Sequence, residues 1–147
     1  MGVQCELIIA DPSEAPSVVA SDGPAQEWDG FTFNGLHSVQ LCTLLSLLDS
    51  GDPLQQFDRY LDAIPVVADE DDGARVVSAV HPPEVGRLAT VAQMEDDEFN
   101  RLASTWGKTN EFDGWTADEV TELLRLIGDL AETAALGNKS LLLWISL

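Results

Sequence analysis

Residues 116–147 read TADEVTELLRLIGDLAETAALGNKSLLLWISL, a helix-forming segment that runs into an apolar strand. Thr116 and Glu119 have the spacing of a capping box, in which each side chain accepts a main-chain hydrogen bond at the start of a helix. Gly137 and Asn138 are typical of a left-handed helix stop. Between cap and stop, apolar residues recur at helical spacing and form one stripe of Val120, Leu123, Leu124, Ile127, Leu130, Ala131 and Ala134.

The segment after this helix, residues 140–147, carries apolar residues on both faces of any strand that it forms. A strand without polar alternation is covered on both sides, so we expect it at the centre of a sheet. Residues 3–10 alternate better, because Gln4 and Glu6 share one face with Ile8. We therefore expect this first strand beside the C-terminal strand rather than at the centre.

The rest of the chain predicts further helices and short strands. Residues 37–48 are apolar around most of a helical circumference, which is typical of a buried helix. Other helices are predicted after Asp11 and over 54–61, 82–92 and 95–106, and short strands over 30–34, 64–68 and 75–80. Without an internal linker, this order predicts one α+β domain over 1–147. We expect a small mixed sheet with the C-terminal strand central and helices packed on it.

Charge is the most unusual property of the composition. The 147 residues include 26 Asp and Glu against seven Lys and Arg, which gives a formal net charge of −19. A surface of this sign repels nucleic acid and anionic membranes, because the electrostatic attraction that drives both associations is reversed. Three explanations of this charge remain open: a basic partner protein, a cationic ligand, and adaptation to a cytoplasm of high salt concentration.

The start of the chain and the cysteines favour a cytoplasmic protein. Met1 to Glu6 lacks the basic start of a secretory signal, and the apolar runs are too short to span a bilayer. Cys5 and Cys42 are too few for a disulfide framework. Each lies at an apolar position, so we expect inert core thiols.

A block in the second half has a recognisable order. It consists of Val80-His81-Pro82-Pro83-Glu84-Val85, a helix through Leu88 and Ala89, Asp96 to Phe99, and the C-terminal helix and strand. This order resembles the YfbM-like family of small bacterial proteins, a domain family of unknown function. A weaker likeness covers Met1-Gly2 and Phe33 to Gly51. At Gly35-Leu36-His37-Ser38 the chain lacks the charged and aromatic residues of the family. The resemblance implies a compact α+β fold and no established activity.

A pair of similar turns and one histidine are the candidate site. Glu27-Trp28-Asp29-Gly30-Phe31 recurs in form as Glu111-Phe112-Asp113-Gly114-Trp115. Two ordinary Asp-Gly turns explain this repetition. Alternatively, the turns line one cleft, with aromatic rings and carboxylates for a cationic or hydroxylated ligand. His81 ends a predicted strand before two prolines, where a side chain is held rigidly. The speculative ligand-binding set is Trp28, Asp29, His81, Asp113 and Trp115.

No sequence motif indicates catalysis, a cofactor or a metal. Asp69 to Gly73 lacks the spacing of a calcium loop, and the histidines and cysteines lack that of a zinc site. The leading hypothesis is a non-enzymatic interaction domain of the inhibitor or immunity type that covers a basic partner. The alternative is a small-molecule-binding protein or enzyme with a cleft near Trp28, His81 and Trp115.

Overall fold

The computed structural model describes residues 3–147, in which five strands and six α-helices form an α+β domain. The strands are β1 (Gln4–Ile9), β2 (Gly30–Thr32), β3 (Val66–Glu70), β4 (Arg75–Val80) and β5 (Leu141–Ser146). The helices are α1 (Ala15–Val19), α2 (Ser38–Ser50), α3 (Phe57–Ala63), α4 (Pro82–Ala89), α5 (Asp96–Gly107) and α6 (Ala117–Leu136). The α+β class predicted from the sequence is confirmed.

The strands form one sheet in the order β2-β1-β5-β4-β3. The C-terminal strand β5 is central and β1 lies beside it, as predicted. All four pairings are antiparallel, so the prediction of a mixed sheet is wrong. The reason lies in the connection from β4 to β5, because α6 delivers the chain to Leu141, opposite the last residue of β4, Val80. A strand that begins where its neighbour ends is antiparallel to it.

Both faces of β5 are covered, which explains its apolar sequence. Leu141 and Leu143 belong to the main core with the helices α2, α4, α5 and α6. Leu142 and Trp144 point to the opposite face, where the short helix α1 covers them. All four side chains are buried. A single substitution to a polar residue at either face would therefore place an unpaired group in a core.

The helix α6 begins and ends close to the predicted positions. The Thr116 hydroxyl accepts a hydrogen bond from the Glu119 amide at 3.1 Å, and the Glu119 carboxylate accepts one from the Thr116 amide at 3.0 Å. At the other end the left-handed residue is Asn138, with φ of 52°, whereas Gly137 has φ of −95°. None of the helices within residues 3–147 combines the length and the hydropathy that crossing a bilayer requires.

Candidate functional site

A row of aromatic rings joins the loop before α6 to the rest of the molecule. The Trp115 ring stacks on Phe33 with ring centroids 5.6 Å apart, and it makes a T-shaped contact with Phe112 at a centroid distance of 4.9 Å. Phe112 in turn packs edge-on against Trp106 at 4.6 Å. Trp106 is fully buried, and its indole nitrogen donates to the Gln40 carbonyl at 3.0 Å. The row therefore fixes the loop over 107–115 against α2, α5 and the end of β2.

Two residues that hold this loop, Gln40 and Gly35, belong to no motif in the sequence. The Gln40 side chain is buried in α2 and donates to the Glu111 carbonyl at 3.2 Å. Gly35 has φ of +94°, and a Cβ added there would come within 2.7 Å of the Trp115 ring. The sequence signal for this contact is Gly35 itself, because glycine is favoured where φ is positive.

Two surface hollows meet at this loop. One, of about 460 Å³, lies between α5 and α6 and is lined by residues such as Ser104, Lys108 and Trp115. The second, of about 510 Å³, is formed by the loop itself, from Gly107 to Trp115. Both volumes fall in the usual range of small-molecule sites. An aromatic face, a lysine and the Asp113 carboxylate are therefore close together at this end of the molecule.

The structure brings only two of the five predicted ligand-binding residues into one hollow. Asp113 and Trp115 both line the hollow formed by the loop. Trp28 packs on the opposite face of the sheet, with the cluster around Ile8 and Leu142. Its indole nitrogen donates to the Glu14 carboxylate at 2.6 Å, which explains the position of this ring structurally.

Asp29 and His81 lie away from the aromatic loop, and each accepts hydrogen bonds through its main-chain carbonyl. The Asp29 carbonyl accepts a hydrogen bond from the Ile9 amide at 2.7 Å, while its side chain is exposed. His81 is the residue before α4, and its carbonyl accepts from the amides of Glu84 and Val85. Ile9 and Val80 lie at the end of the sheet where β5 begins, whereas Phe33 bonds to Cys5 near its other end. The five residues do not form one cleft.

The two similar turns also have different conformations. In the first, Gly30 is the first residue of β2 and pairs with Ile8. In the second, Asn110–Phe112 forms a short 3₁₀ helix, and Gly114 has φ of +87° in the turn that follows it. The repeated letters therefore reflect turn-forming residue types, not a repeated structural unit.

Both cysteines are buried and free. Burial raises the pKa of the Cys5 thiol, and it raises that of Cys42 to about 12. Because the thiolate is the nucleophilic form, neither side chain is suited to covalent chemistry near neutral pH. Within residues 3–147, no group of three or more His, Cys, Asp or Glu side chains is placed to hold a metal ion.

The acidic surface is almost uncompensated by bases. In residues 3–147, which contain every Asp and Glu of the chain, only Asp22 and Asp49 lie within ion-pair distance of a basic side chain. Asp22 pairs with Arg75 at 2.6 Å, and this hydrogen bond raises the pKa of Arg75. Asp49 lies between Arg59 at 3.4 Å and Arg87 at 3.2 Å. The remaining exposed carboxylates face solvent and produce a strongly negative field.

Two runs of four consecutive acids are the densest parts of this surface. We call Asp69–Asp72 the hairpin acids, because they lie at the turn between β3 and β4, and Glu95–Glu98 the helix acids, because they start α5. The helix acids have a structural explanation, since carboxylates in a first turn interact favourably with the helix dipole. The hairpin acids belong to no α-helix, and Asp71 and Asp72 occupy left-handed positions of the turn, with φ of 56° and 57°.

One acid is buried. Glu6 in β1 is 3% exposed, and its carboxylate accepts from the Ala25 amide at 2.7 Å and from the Gln4 side chain at 2.8 Å. These bonds tie the segment before β2 to the sheet, so the role of Glu6 is structural.

Comparisons with known protein families, with curated proteins and with solved structures found no match for this chain. The resemblance to the YfbM-like family stays a prediction.

Proposed function

We propose that this chain is a non-enzymatic interaction domain of the inhibitor or immunity type, which binds and covers a basic partner protein. The observation that carries the proposal is the uncompensated acidic surface, on which only Asp22 and Asp49 pair with bases within residues 3–147. Unpaired carboxylates speed encounter with a cationic surface and, once desolvated beside it, favour the correct partner over acidic ones.

The position of the charge supports a binding role beyond solubility. The hairpin acids follow one another without a base in ion-pair distance among residues 3–147, and Asp69, Asp71 and Asp72 are exposed. Adjacent like charges repel, and the single cation opposite them, Arg75, offsets the repulsion among four carboxylates only in part. A basic partner would supply the remaining neutralisation on binding.

The experiment is affinity capture at low salt followed by binding of the purified partner. Two variants each remove four charges with little change of shape: Asp69→Asn, Glu70→Gln, Asp71→Asn and Asp72→Asn at the hairpin, and Glu95→Gln, Asp96→Asn, Asp97→Asn and Glu98→Gln at the helix. We expect the wild-type protein to capture a basic protein in a defined stoichiometry and the hairpin variant to bind it more weakly. No basic partner, or equal binding by all three proteins, would contradict the proposal.

A second candidate function is small-molecule binding in the hollows beside Trp115. Its support is the meeting of two ligand-sized hollows at Lys108 and Trp115, with Asp113 in one of them. We expect a cationic or hydroxylated ligand that stacks on the indole. A fragment screen by NMR that follows the Trp115 indole N–H tests this candidate. Fragments that shift the indole signals of other tryptophans but not that of Trp115 would exclude it.

A further inference from the structure

The strand β3 forms one edge of the sheet and pairs only with β4. Its pairing is irregular, because the register shifts between Val66 and Ala68 and leaves Val67 in a bulge. Val66 is 60% exposed and Val67 is 38% exposed, so the first half of this edge presents apolar side chains to solvent. Its second half continues into the hairpin acids.

The main chain of this edge has free hydrogen-bonding groups. The Pro65 carbonyl accepts from the Ala79 amide at 3.0 Å, so Ala79 directs its main-chain groups toward β3. Alternation along β4 makes Val77 and Arg75 do the same, opposite Ala68 and Glu70. The N–H and C=O of Asp69, between these two residues, therefore point away from the sheet. Within residues 3–147, no hydrogen bond from outside the sheet reaches them.

The charge beside these free groups is negative and unpaired. Arg75 is the base nearest in sequence, and its guanidinium is already bonded to Asp22 at 2.6 Å. The Arg75 side chain also lies over the Trp144 ring on the face that α1 covers, with 6.0 Å from its guanidinium carbon to the ring centroid. Arg75 lies opposite Glu70 and attracts Glu70 and Asp71, but it is within ion-pair distance of neither, so an added strand would still meet a net negative edge.

We propose that the β3 edge binds an extended, lysine- or arginine-rich segment of the partner protein by β-strand addition. The proposal rests on the proposed function and adds the binding surface and the conformation of the bound segment. Main-chain bonds to Asp69 would give the segment its direction, and basic side chains would lie beside the hairpin acids. An apolar residue of the segment would cover the exposed Val66 or Val67.

A second copy of this chain is a poorer occupant of the same edge. Each copy carries a net charge of −19, so two copies repel at low salt, where a basic segment is attracted. The bulge at Val67 and the acids are also features that protect edge strands against uncontrolled pairing. Charge thus favours a basic segment over a second copy of this chain at the β3 edge.

The test uses two labelled peptides and two variants. One peptide alternates lysine and valine over about eight residues, the length of a strand. The other has the same charge but alternates lysine and proline, which prevents strand pairing. Asp69→Pro removes both the charge and the outward N–H, whereas Asp69→Asn removes only the charge. Anisotropy titrations at low salt give the affinities, and amide exchange at Asp69 of the wild-type protein reports the new hydrogen bond without any variant.

We expect the lysine–valine peptide to bind about tenfold more tightly than the lysine–proline peptide and to slow exchange of the Asp69 amide. Asp69→Pro should bind the lysine–valine peptide about fivefold more weakly than Asp69→Asn, as for the loss of one main-chain hydrogen bond. Equal affinity for both peptides, with an unprotected Asp69 amide, would overturn the edge proposal while leaving the proposed function intact.

Two other outcomes separate the remaining explanations. If neither peptide binds at low salt and the capture experiment also finds no basic partner, both proposals fail together. Sedimentation that shows a dimer of the wild-type protein, present in Asp69→Asn and lost in Asp69→Pro, would overturn the basic segment in favour of a second copy.

Discussion

Two glycines in neighbouring helices give a matched test of how tightly α6 packs. Gly128 lies in the middle of α6, where an added Cβ would be 3.0 Å from the Val91 methyl and 3.2 Å from the Ala92 amide nitrogen. Gly86 lies in α4, and an added Cβ would meet nothing within 4 Å. Alanine in a helix is favoured over glycine by about 1 kcal/mol, so Gly86→Ala should stabilise the protein by nearly that amount.

At Gly128 the same gain is opposed by overpacking. Inserting a methyl group into a close contact costs about 1–3 kcal/mol, and here one of the atoms met belongs to the main chain, which yields less easily than a side chain. Gly128→Ala should therefore destabilise the protein by about 1 kcal/mol net. For a domain of this size that lowers the Tm by roughly 3 °C, while Gly86→Ala should raise it by a similar amount.

Thermal unfolding followed by circular dichroism measures both shifts in one buffer. An equal rise in Tm for the two variants would show that the contact between α6 and the 3₁₀ helix Thr90–Gln93 has room for a methyl group at Gly128. Urea denaturation provides a second measurement, because the slope of the free energy of unfolding against urea concentration reveals any change in the compactness of the unfolded chain.

Three further predictions concern buried polar groups and salt. The single indole N–H of Trp106 is shared between the Gln40 carbonyl and the Thr43 hydroxyl, at 3.0 and 3.1 Å. Trp106→Phe removes this donor and part of the buried ring, so it should lower the free energy of unfolding by about 2–4 kcal/mol in urea denaturation. Burial raises the pKa of Cys42 from 9.0 to about 12, so the contribution of this thiol to stability is complete below pH 9 and is lost as the pH rises toward 12. Cys42→Ala should therefore weaken the fall in the free energy of unfolding between pH 9 and 12, as measured by urea denaturation. An unchanged fall would contradict the raised pKa. If the acids serve binding rather than salt adaptation, the Tm should level off once potassium chloride has screened their repulsion, and a continued rise into the molar range would support adaptation.

The elements of the fold followed from local sequence signals. Apolar residues on both faces of β5 predicted its central place, and the spacing of Thr116 and Glu119 predicted the start of α6. Strand direction was harder, because it depends on where three helices return the chain. The pairing of Leu141 with Val80 that makes the sheet antiparallel has no signature in either segment.

The candidate site was only partly predictable. Asp113 and Trp115 are neighbours in sequence, so their common hollow follows from one turn. Trp28 and Phe112 hold the same place in the two similar turns, yet Trp28 packs against the opposite face of the sheet. The residue types of a turn can be read from the local sequence. The face of the sheet against which its side chains pack depends on strand pairing between distant segments, so it cannot be read in the same way.

Stopped-flow measurement of the association rate constant for the captured basic partner, at increasing ionic strength, shows whether the acidic surface guides binding. If the uncompensated acids guide binding, the rate constant should fall by about tenfold or more between roughly 20 and 200 mM salt, with little change in the dissociation rate. The hairpin variant should associate more slowly and show a weaker salt dependence than the wild-type protein. A rate constant that does not change with salt, or that is identical in the two proteins, would show that the acids do not guide binding.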